Sequence, residues 1–377
     1  MYVLVELIII MQDVILLVVN KLRSELKINF IETCKTYNNY KHLILFNDKC
    51  NLVDIVKTSY FNNFTNIFIN STKDICFPKN INRLECSVIC QMPNTIRHLV
   101  FNDFFDNEIK NCIPNSVVKI VFGECFNQDI KGCIPNSVRY LEFGYYYNKN
   151  LEYCIPNTVT QLVLGSKFNQ DIDNCIPNSL THLTFGYRFN KSINNLPETL
   201  THLILGEQFH QKIENCLPKF LLRVTFGVIF NHKIEPYLPN SLRHLAVGDS
   251  YNKKIRKLPN ITHLILGNSY NKNTNNIPQS VTHLTINNSP DCDEHGYSYR
   301  LNFENKYTIP NFIRHLTITG DFDYRVKKFI PASVTHLYLK KILINENINN
   351  LIPVTVICVM YRNMNIKRVD ANTWKII

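Results

Sequence analysis

The apolar residues of this chain fall into a short pattern that keeps returning. A proline recurs at Pro93, Pro114, Pro135, Pro156, Pro177, Pro197, Pro218, Pro239, Pro259, Pro278, Pro310, Pro331 and Pro353, most neighbours lying 20 or 21 residues apart. One apolar residue stands three after the proline (Val117, Val138, Val159, Leu180, Leu200, Leu242), another six after it (Leu141, Leu162, Leu183, Leu203, Leu245), and a third eight after it (Phe122, Phe143, Leu164, Phe185, Leu205, Phe226). Positions six and eight alternate with polar or mixed residues, which is the period of a strand with one buried face. Each copy is too small to bury its own apolar side, so the pattern predicts a stack of coils sharing one continuous core.

After the strand comes glycine, at Gly123, Gly144, Gly165, Gly186, Gly206, Gly227, Gly248 and Gly267. Glycine accepts positive φ at no Cβ cost and is expected to mark the bend that ends the strand. Three residues on, an aromatic is followed by Asn in Phe126-Asn127, Tyr147-Asn148, Phe168-Asn169, Phe189-Asn190, Phe230-Asn231, Tyr251-Asn252 and Tyr270-Asn271. Stacked in register, these Asn side chains are expected to satisfy buried amides of each coil. An Ile or Leu (Ile130, Leu151, Ile172, Ile193, Ile213, Ile234, Ile255) then turns the chain inward before the next proline. A strand, a bend and an aromatic return within about twenty residues is leucine-rich-repeat logic.

The phrases FNQDIKGCIPNSV (126–138) and FNQDIDNCIPNSLTHLTFG (168–186) resemble FNIP repeats, a leucine-rich-repeat relative of social amoebae and of giant DNA viruses of amoebae. The resemblance covers roughly residues 92–353 and implies a leucine-rich-repeat-like solenoid with one short strand per coil of about 21 residues. His210 departs from it by standing where the repeat has Asn, and the segment Ile286 to Ile309 is irregular.

Residues 1–10 form a hydrophobic extension, and Met11 is a second candidate start. The apolar run through Val19 contains Glu6 and Asp13, each costing roughly 2.5 to 3.5 kcal/mol near a bilayer centre, so no membrane anchor is expected. From Gln12 onward Val14, Ile15, Val18, Val19 and Leu22, then Leu26, Ile28, Phe30, Ile31 and Cys34, fall at helical spacings of three and four. Residues 11–42 resemble an F-box: Asp13, Ile15, Leu16, Val19 and Leu22 match its opening helix, and Thr33, Cys34, Lys35 and Tyr37 its closing signature. The Leu-Pro start is missing, and Tyr37 replaces Trp. The resemblance implies docking of Val14, Ile15, Leu16, Val19, Leu22, Cys34 and Tyr37 on a Skp-type linker protein, and through it on a cullin ubiquitin ligase. The alternative is a helical cap on the open end of the solenoid. Residues 43–91 read as irregular leading coils, with LILF, NIFIN and INRLECSVI as strands; residues 354–377 read as a C-terminal cap.

Partner binding is sought on the strand face. Five after the proline and pointing away from the core stand His98, His182, His202, His244, His283, His315 and His336, with Lys119, Tyr140, Gln161 and Arg223 as counterparts. Seven after it stand Val100, Val121, Val163, Thr184, Ile204, Thr225, Thr285, Thr317 and Tyr338, a mostly apolar stripe of the kind that marks interaction surfaces. Histidines on adjacent strands, about 4.8 Å apart, look like metal ligands, but a zinc site needs a closed ligand set, and no metal or cofactor is expected. The insertion at 287–309 contains Asp291, Cys292, Asp293, Glu294 and His295 and reads as a solvated acidic loop.

The net charge of +11 over 377 residues would permit nucleic-acid binding, but the Lys and Arg are scattered through loops without a dense run, so none is expected. Thirteen cysteines are an odd number with no CxxC pair; Cys76, Cys112, Cys133, Cys154, Cys175 and Cys216 stand two before a proline and read as small apolar ladder positions suited to a reducing compartment. No phosphate loop, nucleophile elbow or HExxH is present. The expected protein is a non-enzymatic, cytoplasmic interaction adaptor, in the host cytoplasm if viral. In it the repeat face binds an unknown target while the F-box-like segment joins a ubiquitin ligase; the alternative is a repeat-only scaffold.

Overall fold

The computed structural model describes residues 44–58, 61–71, 75–255, 257–270, 274, 277–288, 309–320, 330–340, 352–361, 364–368 and 374–376. The F-box-like residues and nearly all of the 287–309 insertion lie outside them. Two compact units divide the chain after Gly165. Each is a stretch of parallel-strand solenoid with about 21 residues per coil. No helix among the described residues is long and apolar enough to cross a membrane.

The first unit carries β1 (Cys50–Asn51), the single-turn α1 (Leu52–Ile55), β2 (Asn66–Ile69), β3 (Arg83–Cys86), β4 (His98–Phe101), β5 (Lys119–Val121), β6 (Tyr140–Glu142) and β7 (Gln161–Val163). Its strands pair in parallel in chain order. The second unit carries β8 (His182–Thr184), β9 (His202–Ile204), β10 (Arg223–Thr225), β11 (His244–Ala246), β12 (His263–Leu266), β13 (His283–Asn288), β14 (His315–Gly320), β15 (His336–Lys340) and β16 (Cys358–Tyr361), again parallel in order. Antiparallel β17 (Met364–Arg368) and β18 (Trp374–Ile376) follow. The ladder thus extends beyond residues 92–353 at both ends, taking in NIFI and RLEC before them and β16 after them. The long coil between Pro278 and Pro310 leaves the register intact, with His283 opposite His315.

Each coil is shaped by a few repeated contacts. The proline carbonyl accepts from the N–H three residues on, as in Val117 to Pro114 at 3.1 Å and Leu242 to Pro239 at 3.1 Å, closing the turn that aims the strand. In some coils the hydroxyl two after the proline donates to the previous coil, Ser137 to Val117 at 2.6 Å and Ser241 to Leu221 at 2.7 Å, whereas Ser116, Ser280, Ser333 and Thr355 at the same place have no partner among the described residues. Inside, the third, sixth and eighth positions are buried in register, with Val138, Leu141 and Phe143 at 0 to 3% exposure. Beside them runs an aromatic column, Phe105, Phe126 and Tyr147 in the first unit and Phe168, Phe189, Phe209 and Phe230 in the second, with centroids 6.0 to 6.2 Å apart. Offset-stacked rings at this spacing fill the wide part of each coil and add to simple area burial.

Three expectations are corrected. The ladder glycines are not in the positive-φ region; among described glycines only Gly132 is, at 70°. Their role is close approach, since a Cβ on Gly123, Gly144, Gly165, Gly206, Gly227, Gly248 or Gly267 would overlap a backbone carbonyl of the coil before. Positive φ falls instead three residues before the proline, at Asn111, Gly132, Tyr153, Asn174 and Asn215. The Asn column serves half-exposed and exposed backbone rather than buried amides: Asn127 Oδ1 accepts from Asn148 N–H and Asn169 Oδ1 from Asn190 N–H, both at 2.9 Å. The Pro-preceding cysteines are more than apolar fillers. Cys112, Cys154, Cys175 and Cys216 donate their thiols to the carbonyl two residues before, at 3.2 to 3.3 Å, stapling the left-handed turn, while Cys76 is exposed. All eleven described cysteines are free thiols.

Candidate protein-interaction face

Strands only three to six residues long, held in register by the turns on either side, present two outward rows separated by the buried Leu or Val. In the second unit the first row is His182, His202, Arg223, His244, His263, His283, His315 and His336, each opposite the next. His263 belongs to it although the expected set of histidines lacked it. The coil at Pro259 is one residue short before its strand, and Ile261 N–H bonds to Pro259 O at 2.7 Å, a tighter turn that restores the register. Its phrase THLIL, shared with the coil at Pro197, was the available signal.

The imidazoles stack like coins, His182 on His202 at 4.2 Å, His244 on His263, His263 on His283 and His283 on His315 at 4.1 Å, and His315 on His336 at 4.4 Å. Where a threonine precedes the histidine it fixes the ring: Nδ1 lies 2.9 Å from the hydroxyl in Thr201-His202, Thr262-His263 and Thr282-His283; His244 and His315 follow arginines instead. The Thr201 hydroxyl already donates to Thr181 O at 3.0 Å, so it accepts from His202 Nδ1–H and leaves the Nε2 lone pair outermost. Near-parallel rings point Nε2 the same way, the opposite of the convergence a metal needs. Among the described residues no group of three His, Cys, Asp or Glu is arranged to hold one. Partial burial holds His202, His244, His263, His283 and His315 below the ordinary histidine value, and charge on neighbouring rings or on Arg223 lowers them further.

The second row is Thr184, Ile204, Thr225, Ala246, Ile265, Thr285, Thr317 and Tyr338. Ile204 and Ile265 are exposed, at 40% and 37%; the others are half-buried against their neighbours. Ala246 and Ile265, absent from the expected stripe, matter most to its relief. Ala246 is the smallest side chain in the row and leaves a hollow of about 250 Å³ lined by Arg223, Thr225, His244, Ala246, His263, Ile265, His283 and Thr285.

The first unit's face differs. Its first row is Arg83, His98, Lys119, Tyr140 and Gln161, and its second is Glu85, Val100, Val121, Glu142 and Val163. Glu85 and Glu142 interrupt the expected apolar stripe. Both are occupied locally: Lys49 Nζ pairs with Glu85 at 2.6 Å, and Tyr140 Oη donates to Glu142 at 2.5 Å while Lys119 lies over the Tyr140 ring at 3.9 Å. His98 is held below its ordinary value by burial and by the Arg83 and Lys119 charges.

Comparison with known proteins gives these features a family. CroV588, whose crystal structure is described as a novel circular LRR protein structure, shares 33% identity over 82% of this chain and 51% of that one, with a TM-score of 0.62. The chain therefore spans about half the length of that protein. YopM from Yersinia enterocolitica WA-314 shares 16% identity over 75% of this chain and 61% of its own, with a TM-score of 0.41. No curated protein matches. FNIP repeats match residues 88–125, 126–167, 147–188, 168–197, 189–228, 230–260 and 258–289, more than half of the sequence, and the chain belongs to the FNIP Repeat family.

Proposed function

We propose that the chain is a non-enzymatic adaptor that holds a target protein on its strand face. The observation that carries this reading is the pair of outward rows in the second unit. One is a column of stacked rings, the other a row of threonines with exposed Ile204 and Ile265, and both stay in register from β8 to β15. Rigid rings and β-branched side chains lose little entropy on contact, which favours a protein surface as the ligand. A leucine-rich-repeat-like solenoid supports protein binding in general.

The finer proposal concerns the N-terminus. Residues 11–42, through Val14, Ile15, Leu16, Val19, Leu22, Cys34 and Tyr37, act as an F-box-like tether to a Skp-type linker and a cullin ligase in the cytoplasm, and the strand face brings the target within reach. The test is co-purification of the full chain from an amoebal lysate beside a variant with Ile15, Leu16 and Leu22 changed to Ser. Linker and cullin recovered with the parent alone, both chains being equally folded by circular dichroism, support the ligase adaptor. Their absence from both leaves residues 11–42 as a cap and the protein as a repeat-only scaffold.

A further inference from the structure

The coil that carries β10 departs from both of its neighbours on its surface while keeping its core. In the coil that begins at Pro218, Leu221, Val224 and Phe226 are buried as in every other. Outside, Phe220 stands where Ser137, Thr199 and Ser241 staple their coils, and it offers no hydroxyl. Leu222 stands where Thr201 and Thr262 orient the next ring. Arg223 interrupts a row otherwise made of histidine. Phe220 is 58% exposed and Leu222 41%.

Arg223 is the distinctive group. It is exposed and lines the 250 Å³ hollow above Ala246. Its hydrogen bond is a long one, Nη2 to His244 Nδ1 at 3.4 Å, and among the described residues it has no carboxylate partner. No acidic side chain occupies either outward row from β8 to β15, whereas in the first unit Glu85 already has Lys49. Because Arg223 donates to Nδ1, His244 carries its proton on Nε2, so two outward donors flank the mouth of the hollow. The volume is below the roughly 300 to 1,000 Å³ typical of small-molecule pockets, and suits one or two side chains of a larger partner.

On the reading that the strand face holds a target, we infer that the hollow over β10 to β12 receives an acidic peptide segment. A carboxylate of the segment pairs with Arg223 and the His244 Nε2–H, and an adjacent aliphatic side chain fills the space over Ala246 against Ile265. Guanidinium and carboxylate form a paired fork, which supplies direction, and the aliphatic group supplies burial. Of the described strand-face sites of the second unit, this one joins an uncompensated cation to an apolar recess.

The test is selection of random dodecapeptides on the full chain, followed by anisotropy measurements with the recovered peptides. Three variants accompany it: Arg223→His, which restores the residue of the neighbouring coils and should not disturb folding; Arg223→Glu; and Ala246→Leu, which fills the hollow. The expected result is enrichment of Asp or Glu beside Leu, Ile or Met, affinity reduced roughly tenfold or more by Arg223→His and Ala246→Leu, and selection of Lys or Arg in place of the acid by Arg223→Glu. Peptides without the acidic residue, or affinities unchanged by the variants, overturn the inference. If such peptides are instead lost on Thr184→Lys with Ile204→Lys, the strand face remains the binding surface and only this site is wrong. If no selected peptide responds to any face substitution, the scaffold reading falls as well.

Discussion

A Cβ built on Gly248 would overlap the backbone carbonyl oxygen of Gly227 in the coil before it. Backbone, not a flexible side chain, is what would have to move, and the overlap recurs along the column. Gly248→Ala is therefore expected to destabilise the second unit by about 3 kcal/mol. Gly132→Ala meets open space but a φ of 70°, and should cost about 1 kcal/mol. Urea unfolding of the two variants checks the order; equal costs would show that approach between coils is not what selects glycine at Gly248.

That comparison also shows what could be read from the chain. The place of each glycine was legible from its fixed distance to the proline, but its reason was not, because close approach between coils is a relation between residues 21 apart. The core columns were fully legible, since the period puts Val138, Leu141 and Phe143 on one side whatever the coil geometry. The face was half legible. Counting from the proline found seven histidines and missed His263, because a single deleted residue shifts the count while the turn at Pro259 absorbs it. The hollow escaped entirely, for it is made by a residue that is small, Ala246, between two that are not. Arg223 was visible only as a counterpart in the row; that it has no carboxylate partner among the described residues is a property of the packed neighbours.

Tyr153 should be replaceable to advantage. It holds φ at 54° in a turn where Asn111, Asn174, Asn215 and Gly132 hold the same conformation, and the residue is 70% exposed. Left-handed backbone costs a residue with a bulky Cβ roughly 1 to 2 kcal/mol, and Asn less because its amide bonds locally. Tyr153→Asn is expected to stabilise the first unit by about 1 kcal/mol, seen as a higher urea midpoint with the same slope. A fall in the midpoint would mean that the exposed ring makes contacts worth more than the strain.

Tyr251 presents a similar excess in the core. Its ring is fully buried in the aromatic column, 6.3 Å from Tyr270, yet its hydroxyl has no hydrogen-bond partner among the described residues. Burial raises its pKa, as do the charges of Glu235 and Tyr270. A buried hydroxyl without a partner costs about 1 to 3 kcal/mol relative to water. Phe occupies this column in other coils, so Tyr251→Phe should leave the fold unchanged and raise stability by about 1 kcal/mol. A loss of stability in thermal unfolding would reveal a bond to the hydroxyl in solution.

The histidine column makes stability depend on pH in a stated direction. In the folded chain His202, His244, His263, His283 and His315 lie below their ordinary value, first through burial and then through neighbouring positive charge. A group whose folded pKa is depressed and which is charged when protonated binds its proton more readily in the unfolded chain. The stabilisation from neutral stacked rings is therefore fully present above the unfolded value of about 6.5 and is lost as pH falls through the folded values. Each ring is partly exposed, so solvent weakens the single effects, but five act in the same sense along one column. The urea midpoint should fall between pH 7.5 and pH 5, and fall less in a variant with His263 and His283 changed to Gln, the residue that Gln161 places in the same row of the first unit. Carboxylates elsewhere titrate alike in both proteins, so the difference between the two pH profiles belongs to the column. Superimposable profiles would mean that the stacked rings take up protons in the folded chain as easily as in the unfolded one.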